Sequence, residues 1–474
     1  MFSQSRQFPR LEPEARALEF YRLGLNGYSW TNLAEISLWA SGDSSLSNLQ
    51  RIRGAVEALN SSNELPKDSK EKAEFILTFM HGNFLRSYSL YQTRVDTIFA
   101  NGSFNCVSSA VFYVILCESA GLNASGVITR DHALVTVHID GQDIDVETTN
   151  RYGFDPGNRK EFHDQFGRLT GFSYVPARNY RDRMTISKIE LVSLILNNRI
   201  ADHERANRFA EAVPLAVDRA ALLSGDSLVV TDEILSSESL FEDPRKSLLD
   251  RVFNYGASLL RANREEDALS WASAASPRYP ATERWQEFIL AAVNNRAARF
   301  LRENKITEAR NFLENNKAFL TNANYAQLNL VLVDAQLLSR AGQITNSAEG
   351  DNVISAVEQA RNSGVLDEKR ASELRTFAIQ KTAAVLCAPP ARNWRAAIQY
   401  IEASLNRFGA NRELEQALQT YRGNLATDYH NRFAAEWNRR NYEEAQRILN
   451  EGLGEFPNDR QLLSDRETVN RNRR

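Results

Sequence analysis

The stretch Gly102-Ser103-Phe104-Asn105-Cys106-Val107-Ser108-Ser109-Ala110, continued by Asp131-His132-Ala133-Leu134-Val135 and by Asp140-Gly141-Gln142-Asp143-Ile144-Asp145-Val146-Glu147-Thr148-Thr149, decides how this chain is read. Apolar residues at Val107, Ala110, Val111, Val114 and Ile115 recur every three and four positions, which predicts a helix over 106–120. Gly121 suits its C-terminal stop. Residues 127–129 and 132–139 read as strands. Asp140-Gly141 is a two-residue hairpin signal, with 142–148 as the returning strand. A helix followed by an antiparallel meander makes this segment α+β.

That reading places a thiol at a helix start, where free N–H groups and the helix dipole favour negative charge. It also places an imidazole at a strand start. Ala133, Val135, Val137 and Ile139 form an apolar row that should face a core, leaving His132 on the other face. Acyl transfer by a thiol needs a thiolate, a base and a group that orients the base. Cys106 and His132 are the candidates for the first two. For the third, a two-residue turn sets His132 opposite Thr149 and Thr136 opposite Asp145. Glu147 is then the diagonal neighbour of His132, about 7–8 Å away at the backbone and within side-chain reach. Geometry favours Glu147, with Asp145 as the second candidate, and another register would reverse the order. The plain alternative for Cys106 is a small buried thiol. His163, in Phe162-His163-Asp164, is a reserve base. His81, His203 and His430 fall in helical segments and are expected to have no chemical role.

The 474-residue chain is 43% hydrophobic and 25% charged with a net charge of -3, values of a multi-domain globular protein with no bias toward nucleic acid. No apolar run approaches the ~20 residues of a membrane helix, so no membrane span is expected. Residues 1–11 contain no apolar leader segment. A cytoplasmic location is expected for the sequence as it stands, or an extracytoplasmic one if a leader has been removed. Three cysteines, Cys106, Cys117 and Cys387, without a C-x-x-C pair, indicate free thiols. His132 and His138 lie roughly 20 Å apart along one strand and cannot share a metal ion. No phosphate loop or dinucleotide motif is present, so neither a metal nor a cofactor is expected.

Residues 1–62 read as an N-terminal helical segment of two or three short helices, broken at 41–45. Residues 63–184 hold the α+β core with an excursion rich in aromatics over 150–183. Residues 185–474 read as helix after helix. Gly256, Ala268, Ala275 and Pro280 fall at tetratricopeptide offsets, as do Tyr442, Ala445, Leu449 and Pro457, with weaker copies near Ala309 and Ala397. Small residues at these places let paired helices approach, and the resulting groove would take a protein or peptide.

The blocks N-C-V-S-S-A, D-H-A-L-V and I-D-G-Q-D-I-D-V-E-T-T resemble the core of the transglutaminase-like superfamily, in which Cys begins a helix, His begins a strand and an acid follows. The resemblance covers about 66–149. It implies a papain/transglutaminase-like α+β core followed by an all-α tetratricopeptide-like solenoid. Laid on that pattern, Cys106 takes the nucleophile position, His132 the base position and Glu147 the acid position. A bacterial branch with a shorter His-to-acid spacing selects Asp145 instead. Val107 stands where the family usually carries an aromatic, and its Trp near the acid is absent. Two functions follow from the resemblance: a cysteine peptidase, amidase or transglutaminase, or a catalytically idle core in a protein-binding repeat scaffold.

Overall fold

Among the described residues four helices precede the first strand: α1 (Ala15–Gly24), α2 (Trp30–Ala40), α3 (Leu46–Asn60) and α4 (Ser69–Asn83). The break at 41–45 falls between α2 and α3. In α4, the Asp68 carboxylate caps the N–H groups of Lys70 and Glu71 at 2.9 Å each. Ala73, Ile76, Leu77 and Met80 form its buried stripe. The computed structural model describes residues 8–157, 162, 182–390 and 392–472. Most of the aromatic excursion, His163 included, lies outside the described residues.

Two short strands, β1 (Ser87–Tyr88) and β2 (Ser103–Phe104), pair in parallel around α5 (Asp96–Asn101). β2 runs directly into α6 (Cys106–Ser119). Asn105 caps this helix reciprocally. Its carboxamide oxygen accepts from Ser108 N at 3.0 Å, and its own N–H donates to Ser108 Oγ at 2.9 Å. Every residue from Cys106 through Cys117 is buried, so α6 is apolar all round and occupies the centre of the core. Helices α2, α3 and α4 and two strands of the sheet described next pack on it. Each Val, Leu, Ile or Phe buried in this way stabilises the fold by about 1.5–3 kcal/mol. The helix ends where Gly121 turns left-handed (φ 78°), with Leu122 N bonded back to Cys117 O at 2.9 Å.

The sheet comprises β3 (Asn123–Ile128), β4 (Ala133–Ile139), β5 (Gln142–Val146) and β6 (Met184–Ile186) in the order β5-β4-β3-β6, antiparallel throughout among the described residues. Asp140 (φ 48°) and Gly141 (φ 75°) form the two-residue turn, and Thr136 pairs with Asp145 as the turn requires. Ala133, Val135, Val137 and Ile139 all face the core. Strand β3 starts earlier than expected, at Asn123, and β5 ends earlier, at Val146. Helix α7 (Lys188–Arg205), capped by Ser187 and Glu190, packs on β3 and α6.

The protein is therefore mostly helical, with one small antiparallel sheet and a helical C-terminal region. It divides into two compact units, 1–288 and 289–474. In the first, one apolar core runs from Phe20 to Phe241. In the second, a separate core runs from Leu337 to Val469. The alanines singled out in the sequence, Ala268, Ala275, Ala309, Ala397 and Ala445, are fully buried at helix contacts. A common turn recurs between helices. Asn207, Asn263, Asn304 and Arg440 are all left-handed, and the following N–H of Arg208, Arg264, Lys305 and Asn441 bonds five residues back at 2.8–2.9 Å.

Candidate functional site

Cys106 is the first residue of α6 and is 9% exposed. Capping uses the amide of Ser108, and Ser109 N bonds to Asn105 O, which leaves the amides of Cys106 and Val107 unpaired among the described residues. The segment before the helix is pinned alongside it. Asn105 Nδ2 donates to Leu90 O at 3.2 Å, and Ser108 Oγ donates to Gln92 O at 3.1 Å.

His132 stands one residue before β4, after a tight connection in which Thr129 N donates to His132 O at 2.9 Å. Its Nε2 meets Glu147 Oε2 at 2.6 Å, and its ring also hydrogen-bonds the Cys106 thiol. With Nε2 engaged by the acid, Nδ1 is the nitrogen left for sulfur. The strand alternation that would turn His132 away from the core does not apply, because His132 precedes the first ladder pair. It lies at the end of the sheet, where α6 begins.

Glu147 is fully enclosed, while the His132 side chain keeps 15% exposure. The second carboxylate oxygen of Glu147 accepts from Thr149 N at 3.1 Å and from Thr149 Oγ1 at 2.6 Å. Burial alone would push the carboxyl up; the His132 ring and the Thr149 donors outweigh it and hold the group below its ordinary value. Burial would likewise push the imidazole down, but Glu147 and the Cys106 sulfur hold it well above the ordinary histidine value. The arrangement favours an imidazolium beside the Glu147 carboxylate.

Asp145, the second acid candidate, is not on the ring. It faces Thr136 across the ladder, accepts its hydroxyl at 2.7 Å and is clamped by Arg183 at 2.6 and 2.7 Å. The two-residue turn sets this register, and the register gives the ring to Glu147. His138 pairs with Asp143 at 2.6 Å and with Ser125 at 2.8 Å on the exposed side. Burial pushes the Cys117 thiol up to about 12 and the Cys387 thiol up to about 11.

A cleft of about 610 Å³ opens over the sulfur. Its walls are Leu90 and Tyr91, the turn Thr129–His132, and one face of α7 carrying Leu194, Asn197, Asn198, Ala201 and Arg205. The Arg205 guanidinium lies 4.8 Å over the Tyr91 ring at the rim. A second cleft of similar volume, between α3, α4 and α5, is lined by Arg51, Arg86 and Phe99 and lacks a nucleophile.

Three features of the site have no clear sequence signal. His81 Nε2 meets Thr148 O at 3.0 Å, Ser109 Oγ meets Thr148 Oγ1 at 2.8 Å, and burial, with smaller effects of Cys106 and Glu147, pushes the Tyr88 hydroxyl up. From the sequence His81 is a residue of a helical segment with no chemical role expected, and neither Ser109 nor Tyr88 is singled out. Among the described residues no group of three or more His, Cys, Asp or Glu side chains could hold a metal ion, and no helix is long and apolar enough to cross a membrane.

No protein-family model matches the chain, and no curated protein matches it.

Proposed function

We propose that this protein is a thiol-dependent acyl-transfer enzyme of transglutaminase-like type, a peptidase, amidase or amine transferase, acting through Cys106, His132 and Glu147. One observation carries the reading: a single imidazole bridges a helix-start thiol and a fully buried carboxylate. In the proposed course, the Cys106 thiolate bonds to the carbonyl carbon of an amide or thioester. The displaced electron pair moves onto oxygen, which the free amides of Cys106 and Val107 receive. As the tetrahedral adduct collapses, the bond to the leaving amine or thiol breaks and His132 gives that group its proton. Water or an amine then loses a proton to His132, attacks the thioester and expels the thiolate. Glu147 keeps the ring oriented throughout and stabilises it in the steps where it is charged.

The segment 63–184 is read as the papain/transglutaminase-like core, with 1–62 as a helical lead-in. Residues 185–474 are read as a tetratricopeptide-like arm for a protein or peptide substrate. Recurrent left-handed turns and buried alanines support that part of the reading.

The test is competitive labelling of the folded chain with a thiol electrophile at neutral pH. Cys106 is expected to react at least about tenfold faster than Cys117 and Cys387, and His132→Ala is expected to abolish the preference. Equal labelling of all three thiols overturns the proposal.

A further inference from the structure

We infer that His81, on α4 and outside the reacting groups, is a positioning residue for Glu147, held there by its hydrogen bond to the Thr148 carbonyl; the inference rests on the acyl-transfer reading. Residues 147–149 lie beyond the last ladder pair of β4 and β5, Val135 with Val146. Three other contacts fix them. Glu147 N donates to Gly153 O at 2.8 Å, Ser109 Oγ meets Thr148 Oγ1 at 2.8 Å, and His81 Nε2 meets Thr148 O at 3.0 Å. The third contact is the one that ties the acid's segment to α4.

A carbonyl oxygen only accepts, so Nε2 of His81 carries the proton. The ring also stands edge-on to Phe104, with centroids 6.0 Å apart at 85°, two residues before the nucleophile. One side chain thus touches both the strand that delivers Cys106 and the segment that delivers Glu147. Burial pushes His81 down to about 4, so the ring is neutral and keeps this tautomer around pH 7. The titratable and charged groups acting on His81 are Arg151 and Glu147, those acting on His132 are Glu147 and Cys106, and Tyr88, on β1, is acted on by Cys106 and Glu147.

Without this donor, the Glu147 segment loses one of the three contacts that fix it, and the carboxylate sustains the charge on His132 less well. The test is the pH profile of Cys106 alkylation by iodoacetamide in the full-length wild type, His81→Phe and His81→Gln. The profile is expected to carry an alkaline limb where the His132 imidazolium deprotonates. In His81→Phe that alkaline limb is expected to move down by about one pH unit. Turnover, where a substrate is in hand, is expected to fall by about tenfold or more in kcat with KM little changed. His81→Gln keeps a donor and is expected to stay close to wild type. An unchanged profile in His81→Phe overturns the inference. So does an equal displacement in both variants, which is the mark of a packing role.

If His81→Phe does not fold, nitrogen NMR of the wild type decides: a neutral His81 protonated at Nε2 supports the inference, and protonation at Nδ1 overturns it. A wild type whose Cys106 alkylates like an ordinary thiol refutes the acyl-transfer reading first, and the inference with it.

Discussion

Gly153 sits so close under Glu147 that a Cβ placed on it would run into the Glu147 carbonyl oxygen, and the Glu147 amide donates to Gly153 O at 2.8 Å. The closeness explains how a carboxylate two steps from a thiol can be held without strand pairing. Gly153→Ala is expected to push residues 147–149 outward. The stability loss should be about 1–3 kcal/mol in chemical denaturation, with slower Cys106 alkylation. A variant with wild-type melting and wild-type thiol reactivity would contradict the contact.

The two acids should separate cleanly. Glu147→Gln removes the charge that sustains the imidazolium, and turnover is expected to fall by about 10²-fold or more. Asp145→Asn leaves the ring alone but weakens a partly buried bond to Arg183. It is expected to cost about 1–3 kcal/mol of stability and to change Cys106 alkylation by no more than about threefold. Reversed effects would return Asp145 to the site.

The two histidines of the site act oppositely on stability. His132 has a raised folded pKa, so its contribution is complete below the unfolded value of about 6.5 and is lost as pH rises through the folded value. Glu147 has a lowered folded pKa, so its contribution is complete above about 4.5 and is lost as pH falls through the folded value. His81 is held neutral down to about 4. Between about 6.5 and 4 the unfolded chain takes up a proton there that the folded chain refuses, which costs on the order of 3 kcal/mol by the lower limit. Melting measured from pH 7 to pH 4 is expected to show this loss, and His81→Gln to remove most of it. A parallel decline in both proteins would contradict the burial of a neutral ring.

Asn105 serves the helix and the site together. Asn105→Ala removes the acceptor for Ser108 N and the donor to Leu90 O. It is expected to cost about 1–2 kcal/mol and to lower the alkylation rate of Cys106, read from a denaturant titration and a thiol assay on the same sample.

In the C-terminal unit, Arg440 occupies a left-handed turn position (φ 66°) that asparagine fills at 207, 263 and 304. A bulky residue there costs about 1–2 kcal/mol. Arg440→Gly or Arg440→Asn is expected to raise stability by about 1 kcal/mol in urea unfolding.

Much of the site could be read from the residues because each step had one cheap solution. Asp140-Gly141 permits a two-residue turn, the turn fixes the register, and the register puts Glu147 rather than Asp145 near His132. The period of α6 and its stop at Gly121 were equally plain. Less legible was whatever depends on partners distant in sequence. Strand β6 is three residues with no turn cue of its own and exists because β3 offers an edge. Asn123, Ser125 and Gly126 conceal the first half of β3, which β4 nonetheless pairs. His81 falls in an ordinary helical segment, and only the folded chain brings Thr148 to it.

Helix α6 is enclosed on every side from Cys106 to Cys117, and this limits how the Cys106 thiol can be displaced. A wedge or hinge at its base would have to open the whole core to tilt the sulfur. Loss of Cys106 reactivity on heating should therefore be all-or-none, in the same cooperative step as the near-ultraviolet signal of the surrounding aromatic rings. Residual thiol reactivity then counts intact molecules.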